Sequence, residues 1–395
     1  MTQHFKFGGS TAGRTVACPS WVNLSENMPS GPPSRAALEG TLMHLLFEQG
    51  IQDPDFEPAV GVGQSTVIEG VTLTCTAEHV DKVYTAYDLQ AQIEDKYGLD
   101  VVLPEMHMST DEDTGGTADI VAWSNPSRNV LAGAYLNVFA VGDLKTGDGH
   151  MVQAKDNEQL LFYAWQAYER FRRDFNFTDD TVFVLYIIQP SERRDDPLDI
   201  WETSLKNVLR FAAKFKQAQK AARNGIKAPC PSAHCKYCPA APVCPAKTGM
   251  IAVQQRIPAK STELADLIKA LNMVDEVEDW CRAVRKTAHE QLEAGVQLPG
   301  FKLVQKRATR QWVSEQDIAT TLKRMRGLVH DDYTISKIKS PAQLEAVCKQ
   351  KGVDFTKFES MIHLQSSGTT LVKDSDSRQA VLPLNRLASM AATLK

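Results

Sequence analysis

Residues Asn137 to Gly147 read NVFAVGDLKTG, an apolar run with β-branched members that closes on a glycine-bounded turn. This is the pattern of a buried strand ending at an acidic residue. Side chains alternate along a strand, so Asp143 and Lys145 share one side of the sheet while Leu144 faces the core. Upstream, Gly116 to Trp123 (GTADIVAW) sets Asp119 among apolar neighbours in the same way. Downstream, Glu158 to Phe171 (EQLLFYAWQAYERF) has helical periodicity, which puts Gln159 and Tyr163 on one face. Thr181 to Gln189 (TVFVLYIIQ) is a further apolar strand. The order strand, helix, strand predicts an α/β crossover in a mostly parallel sheet, with Asp143 and Lys145 at a carboxyl end.

Buried carboxylates need partners, and a hard cation is one. Two carboxylates beside a lysine suit Mg²⁺ or Mn²⁺, which take oxygen ligands and keep several waters. Such a cation acidifies water and polarises a phosphoryl oxygen, while the ammonium orients that water or neutralises developing charge. The chemistry expected is phosphodiester hydrolysis. An acid–x–base tripeptide carries little by itself in a chain with 23% charged residues; the helix that follows gives it weight.

Ahead of these strands lies SRAALEGTLMHLLFEQG, containing Gly40-Thr41-Leu42-Met43-His44. A helix with G-x-x-x-H, an Asp closing one strand, D-x-K closing the next and Q-x-x-x-Y on a helix occur here in that order. In this the chain resembles the RecB-type branch of the PD-(D/E)XK nuclease superfamily. The resemblance implies a restriction-endonuclease-like core with a mixed central sheet flanked by helices. It implies that His44, Asp119 and Asp143 hold the metal with help from the Leu144 carbonyl, that Lys145 is catalytic, and that Gln159 and Tyr163 position DNA or the lysine. Glu39 and Glu48 flank His44 and are expected on a solvated helix face. Glu105 is open between a ligand and an exposed role, the exposed one being the expectation.

Eight cysteines fall into two groups. Cys75, Cys281 and Cys348 are isolated and read as small apolar core residues. Cys230, Cys235, Cys238 and Cys244 lie in APCPSAHCKYCPAAPVCPAK, where repeated prolines enforce a loop-like wrap. Those four could hold tetrahedral Zn²⁺. The resemblance to iron–sulfur RecB-type nucleases, including CRISPR-associated relatives, implies instead a [4Fe–4S] cluster on Cys18, Cys235, Cys238 and Cys244, leaving Cys230 as a departure from the pattern. Its expected role is to tie the start of the nuclease domain to its end.

Net charge is -4, so any nucleic-acid surface must be local. Between Ser204 and Ala228 there are seven Lys or Arg and no acid, and Lys206, Arg210 and Lys214 recur at i, i+4 as a DNA-binding stripe. Lys302, Lys306, Arg307 and Arg310 form a second basic stretch. The expected organisation is a nuclease domain over 1–247, a linker over 248–260 and a mainly helical extension over 261–395. Absence of a signal peptide and of a long apolar run predicts a soluble cytoplasmic protein without membrane contact. The expected function is a metal-dependent deoxyribonuclease, an exonuclease working on a DNA strand end in phage replication or recombination, with a single-strand-binding or annealing protein as partner. The alternatives are a non-catalytic DNA-binding or assembly protein that keeps the fold, and a zinc-stabilised regulatory module.

Overall fold

The structure, a computed structural model, describes residues 5–28, 33–124, 137–147, 151–191, 196–254, 264–307, 309–334, 339–365, 369–373 and 376–381. The chain divides into two compact units, Met1–Ala283 and Val284–Lys395. The first contains α1 (Ala12–Ala17), α2 (Ser20–Leu24), α3 (Arg35–Gln52), a hairpin of β1 (Ser65–Ile68) and β2 (Val71–Thr74), and α4 (Ala77–Tyr97). Then come β3 (Val101–Asp111), β4 (Thr114–Trp123), β5 (Val138–Leu144), α5 (Glu158–Phe171), β6 (Val182–Ile188), β7 (Leu198–Ser204) and α6 (Leu205–Arg223). After α7 (Pro245–Gln254), α8 (Leu264–Glu293) runs past the division.

Five strands form one sheet in the order β3-β4-β5-β6-β7. Only β5 and β6 are parallel; the other three pairings are antiparallel, so the sheet is mixed, as the resemblance implies, and not mostly parallel as the crossover alone suggests. The crossover through α5 was read correctly, but β3–β4 is a hairpin joined by two residues and β7 returns beside β6, and short connections can join only antiparallel strands. Helices cover both faces. Phe139, Val141, Phe183 and Leu185 pack with α5, α6 and the amino-terminal Phe7. Val138, Ala140, Leu144 and Tyr186 pack on the other face with residues of α3 and α4. Strand β5 is buried at every position because both faces are covered, which explains its unbroken apolar sequence. The alternation also puts Leu144 in the second core and Asp143 on the α5 side, beyond Val141.

Helix α5 starts where its periodicity predicts because Asn157 caps it, accepting from the N–H groups of Gln159 and Leu160. Helix α3 likewise starts after Ser34, whose side chain accepts from the Ala37 N–H.

The division of the chain differs from the expected one at 248–260. Thr248 to Gln254 are helical, and 255–260 lie outside the described residues. The start of α8 stays with the first unit, since Trp280 donates to the Pro242 carbonyl (3.4 Å) and Glu276 pairs with the buried Lys247. The second unit has its own core of Trp312, Ile318, Leu322, Tyr333, Leu344, Cys348 and Phe358. Beside its helices α9 (Glu315–Lys323), α10 (His330–Tyr333) and α11 (Pro341–Lys351) it carries two antiparallel ribbons. These pair β8 (Phe301–Gln305) with β11 (Thr369–Lys373), and β9 (Thr309–Trp312) with β10 (Ile362–Gln365). The expected mainly helical extension therefore has a strand component whose pairing is non-local. Among the described residues, no helix is long and apolar enough to cross a membrane.

Candidate active site

Strands β4 and β5 pair only as far as Ile120 and Gly142, and beyond that point they part. At the parting, the Asp119 Oδ2 accepts from the Leu144 N–H at 2.7 Å, so a side chain satisfies a donor that the ladder no longer serves. Asp119 and Asp143 thus meet at the end of β5. The sequence-predicted residues assemble around them.

His44 arrives on α3. Its Nδ1 lies 3.5 Å from an Asp119 oxygen and 3.6 Å from Glu105 Oε1. Gly40 eases the close approach of α3, since a Cβ there would stand 3.0 Å from Thr146 Oγ1, just past Lys145. That is a physical reason for glycine one turn before the histidine. His44, Glu105 and Asp119 each offer a ligand atom within 4.8 Å of the others, among the described residues the one such group of His, Cys, Asp and Glu.

Glu105 was the residue misjudged from sequence, where an exposed role was expected. Pairings of Pro104 with Ile120 and of Met106 with Ala118 put Glu105 opposite Asp119 on the edge strand. Its φ is 45°, a left-handed conformation inside a strand that costs a non-glycine residue about 1 kcal/mol. The available signal was Pro104, since a proline inside an alternating strand marks an edge or an irregularity. Glu39 and Glu48 behave as expected of a solvated face: Glu39 pairs with Arg35 (2.9 Å) and Glu48 accepts from Gln52 (2.9 Å).

Lys145 lies 2.7 Å from Asp143 Oδ2. Gln159 clamps both partners, donating to Asp143 Oδ1 at 2.8 Å and accepting from Lys145 at 3.3 Å. Asp143 Oδ2 is close to the ammonium but off the hydrogen-bonding direction, and is otherwise a buried oxygen without a donor. Tyr163, only 7% exposed, fits against Gly9, where a Cβ would come within 2.4 Å of its ring, and against Gly116.

The charges form one unit. Burial pushes the Asp143 carboxyl up to about 6, with the Lys145 charge opposing and the Asp119 charge adding to the rise. Burial acts the same way on Asp119, but His44 and Lys145 outweigh it and hold that carboxyl below its usual range. Burial disfavours a charged His44, yet Asp119 and Glu105 raise its pKa to about 10. Lys145 is raised as well, burial being overcome by Asp143 and Asp119. Tyr163 is pushed strongly up by burial and by the neighbouring carboxylates. Three carboxylates thus face one imidazolium and one ammonium, a demand for positive charge that a divalent cation can meet in place of the His44 proton.

The chain matches the family described as "Protein of unknown function (DUF2800)" over residues 4–379. It belongs to the DUF2800 family. Among solved structures, this DUF2800 member has a distant likeness to a "Putative exonuclease" from Eubacterium rectale, with 11% sequence identity and a TM-score of 0.32. That likeness covers 66% of this chain and 90% of the other.

Cys18, Cys230, Cys235, Cys238 and Cys244 line one cavity. Among the described residues, however, no three of their sulfurs lie within 4.8 Å of one another. The amino-terminal segment is brought there by long-range bonds: Ser20 to the Ala228 carbonyl (2.6 Å), Asn23 to the Ala222 and Ile226 carbonyls, and the Cys230 N–H to Cys18 Sγ (3.3 Å). Cys75 and Cys348 are buried as expected, while Cys281 is half-buried.

The basic segment between Ser204 and Ala228 is partly compensated by acids from elsewhere in the fold, outside the stripe itself. Lys216 pairs with Glu169 (3.4 Å) and sits over the Trp165 ring, and Arg223 pairs with Asp111 and Asp113. Those acids come from α5 and the β3–β4 hairpin, which local sequence does not reveal. Lys206, Arg210 and Lys214 are exposed and have no carboxylate partner among the described residues, although Arg210 donates to Asn207 at 2.7 Å.

Proposed function

We propose that this protein is a metal-dependent deoxyribonuclease with a PD-(D/E)XK-type site, acting on DNA strand ends. The observation that carries the reading is the meeting, where β4 and β5 part, of the His44–Glu105–Asp119 trio with the Asp143–Lys145 pair. The donor set fits a divalent cation, and the undirected buried oxygen of Asp143 fits it too. One imidazole among carboxylates suits Mn²⁺ at least as well as Mg²⁺, which prefers oxygen alone. When bound, the cation supplies Lewis acidity toward a phosphoryl oxygen and makes water a stronger acid.

The chain's own residues do the rest. His44, Glu105 and Asp119 would hold the cation. The Lys145 ammonium, fixed by Asp143 and Gln159, neutralises charge gathering on the scissile phosphate. Gln159 keeps ammonium and carboxylate in register from a capped helix, so neither has to be reoriented when substrate arrives. The test is cleavage of 5′- and 3′-labelled single and double strands with Mg²⁺, Mn²⁺ or a chelator. Metal-dependent release of short products from one end is expected. DNA binding with no cleavage under any metal would leave a non-catalytic binding protein.

Glu105 gives a separate expectation. Glu105→Gly removes a ligand and also the left-handed strain, so Mn²⁺ affinity measured by calorimetry should fall at least tenfold while metal-free stability rises by about 1 kcal/mol. Unchanged affinity would remove Glu105 from the site.

The α6 stripe is proposed as the phosphate-tracking surface, on the support of three exposed cations without carboxylate partners among the described residues. Changing Lys206, Arg210 and Lys214 together to Ala should weaken binding to single strands of any sequence. The log–log salt slope should flatten by about two, roughly 0.7 per lost phosphate contact. An unchanged slope with normal affinity would return the stripe to a solvated face.

For the cysteine cavity we propose a thiolate-ligated metal centre, a [4Fe–4S] cluster on Cys18, Cys235, Cys238 and Cys244, with zinc as the alternative. Five cysteines on one cavity support a metal. Tetrahedral zinc at about 2.3 Å per bond needs sulfurs about 3.8 Å apart. Metal analysis of the purified chain decides between the two.

A further inference from the structure

Arg14 stands in the cysteine cavity with no job in the reaction just described. It lies on α1, one turn before Cys18, whose N–H bonds back to the Arg14 carbonyl at 2.8 Å, so the helix presents both to the same cavity. Its guanidinium lies 4.9 Å from the centroid of the Trp21 ring, and that ring is pinned by its N–H donating to Thr15 Oγ1 at 3.1 Å. Its Nε is buried without a hydrogen-bond partner. Among the described residues no carboxylate pairs with it. Burial lowers its pKa, and the groups that oppose this are Cys238 and Cys235 in their thiolate form.

A guanidinium cannot shed its proton, and Arg14, half-buried with its Nε out of water, is stabilised by a counter-charge. Neutral thiols do not supply one. Thiolates do, and ligation to a metal keeps cysteines as thiolates. The other cation lining the cavity, Lys247, is already matched by Glu276 and so leaves Arg14 as the unbalanced charge.

We infer that Arg14 is the built-in counter-charge of a thiolate-ligated metal centre in the cysteine cavity, a positioning and tuning residue that makes the cavity select an anionic occupant. The inference rests on the proposed cysteine centre and deepens it. Aromatic contact holds the guanidinium in place, and the unpartnered Nε is free to donate toward a ligated sulfur.

The experiment uses the full chain purified anaerobically, comparing wild type, Arg14→Gln and Arg14→Lys. Metal release to an excess of chelator, followed for iron and zinc separately, should be about tenfold faster in Arg14→Gln. If the centre is iron–sulfur, removing the positive charge should also disfavour its one-electron reduction by dithionite about tenfold, a negative shift of about 59 mV in a potentiometric titration. Arg14→Lys keeps the charge and should stay near wild type in both readouts. It carries the test alone if Arg14→Gln does not fold, since a tenfold change in Arg14→Lys would assign the effect to packing and overturn the inference. Wild-type release and potential in Arg14→Gln would overturn it while leaving the cysteine centre standing. A wild-type chain that binds neither iron nor zinc would overturn the centre and, with it, the role of Arg14.

Discussion

Lys145→Ala is expected to lower metal-dependent DNA cleavage by about 10²–10³ while the protein still folds and binds DNA. The lysine is half-exposed, so its removal opens no core cavity, and Gln159 still holds Asp143 through the other carboxylate oxygen. On the proposed reading, what is lost is a fixed cation beside the scissile phosphate. Asp143→Asn should cost as much by a different route. The amide keeps the shape and removes both the charge that anchors Lys145 at 2.7 Å and the oxygen left without a directed donor. Single-turnover rates at saturating DNA and metal, with circular dichroism to check folding, separate chemistry from binding. A Lys145→Ala chain cleaving at the wild-type rate would remove this site from the reaction.

The second large effect concerns the cysteines. Anaerobically purified protein is expected to be brown and to hold about four iron per chain. Cys235→Ser or Cys18→Ser should abolish the colour and lower Tm by about 10 °C, taking a loss of about 3 kcal/mol and roughly 3 °C per kcal/mol in a domain of this size. The loss is large because Cys18 and Cys235 are far apart in sequence, and a shared centre turns metal binding into folding free energy. Without it, the amino-terminal segment is still held by apolar packing of Trp21 and Val22 in the core that includes Ala222, and by hydrogen bonds of Ser20 and Asn23 worth about 1 kcal/mol each, so the loss is partial. Cys75→Ala, whose sulfur belongs to the other core, should keep the iron. Stoichiometric zinc in iron-replete anaerobic protein would replace the cluster by a zinc site, and iron retained in Cys18→Ser would make Cys230 the fourth ligand.

The sequence by itself determined those features that depend on local periodicity and on residue type. Strand β5, helix α5 and the shared side of Asp143 and Lys145 follow from alternation, from the 3.6-residue repeat and from the Asn157 cap, all written within a few residues of the features they specify. The histidine four residues after Gly40 was legible as part of a motif, but the approach of α3 to Thr146 at that glycine was not. Tertiary structure alone decided the rest. The direction of strands β3, β4 and β7 depends on which edges pair, and hydrophobic pattern is blind to that. Glu105 joins His44 and Asp119 through a left-handed kink opposite another strand, a conformation that no propensity assigns to glutamate. The compensation of Lys216 and Arg223 by Glu169, Asp111 and Asp113 and the placing of Arg14 in one cavity with five cysteines join residues distant in sequence. Charge acts through space, so the meaning of a charged residue is settled by what the fold packs against it.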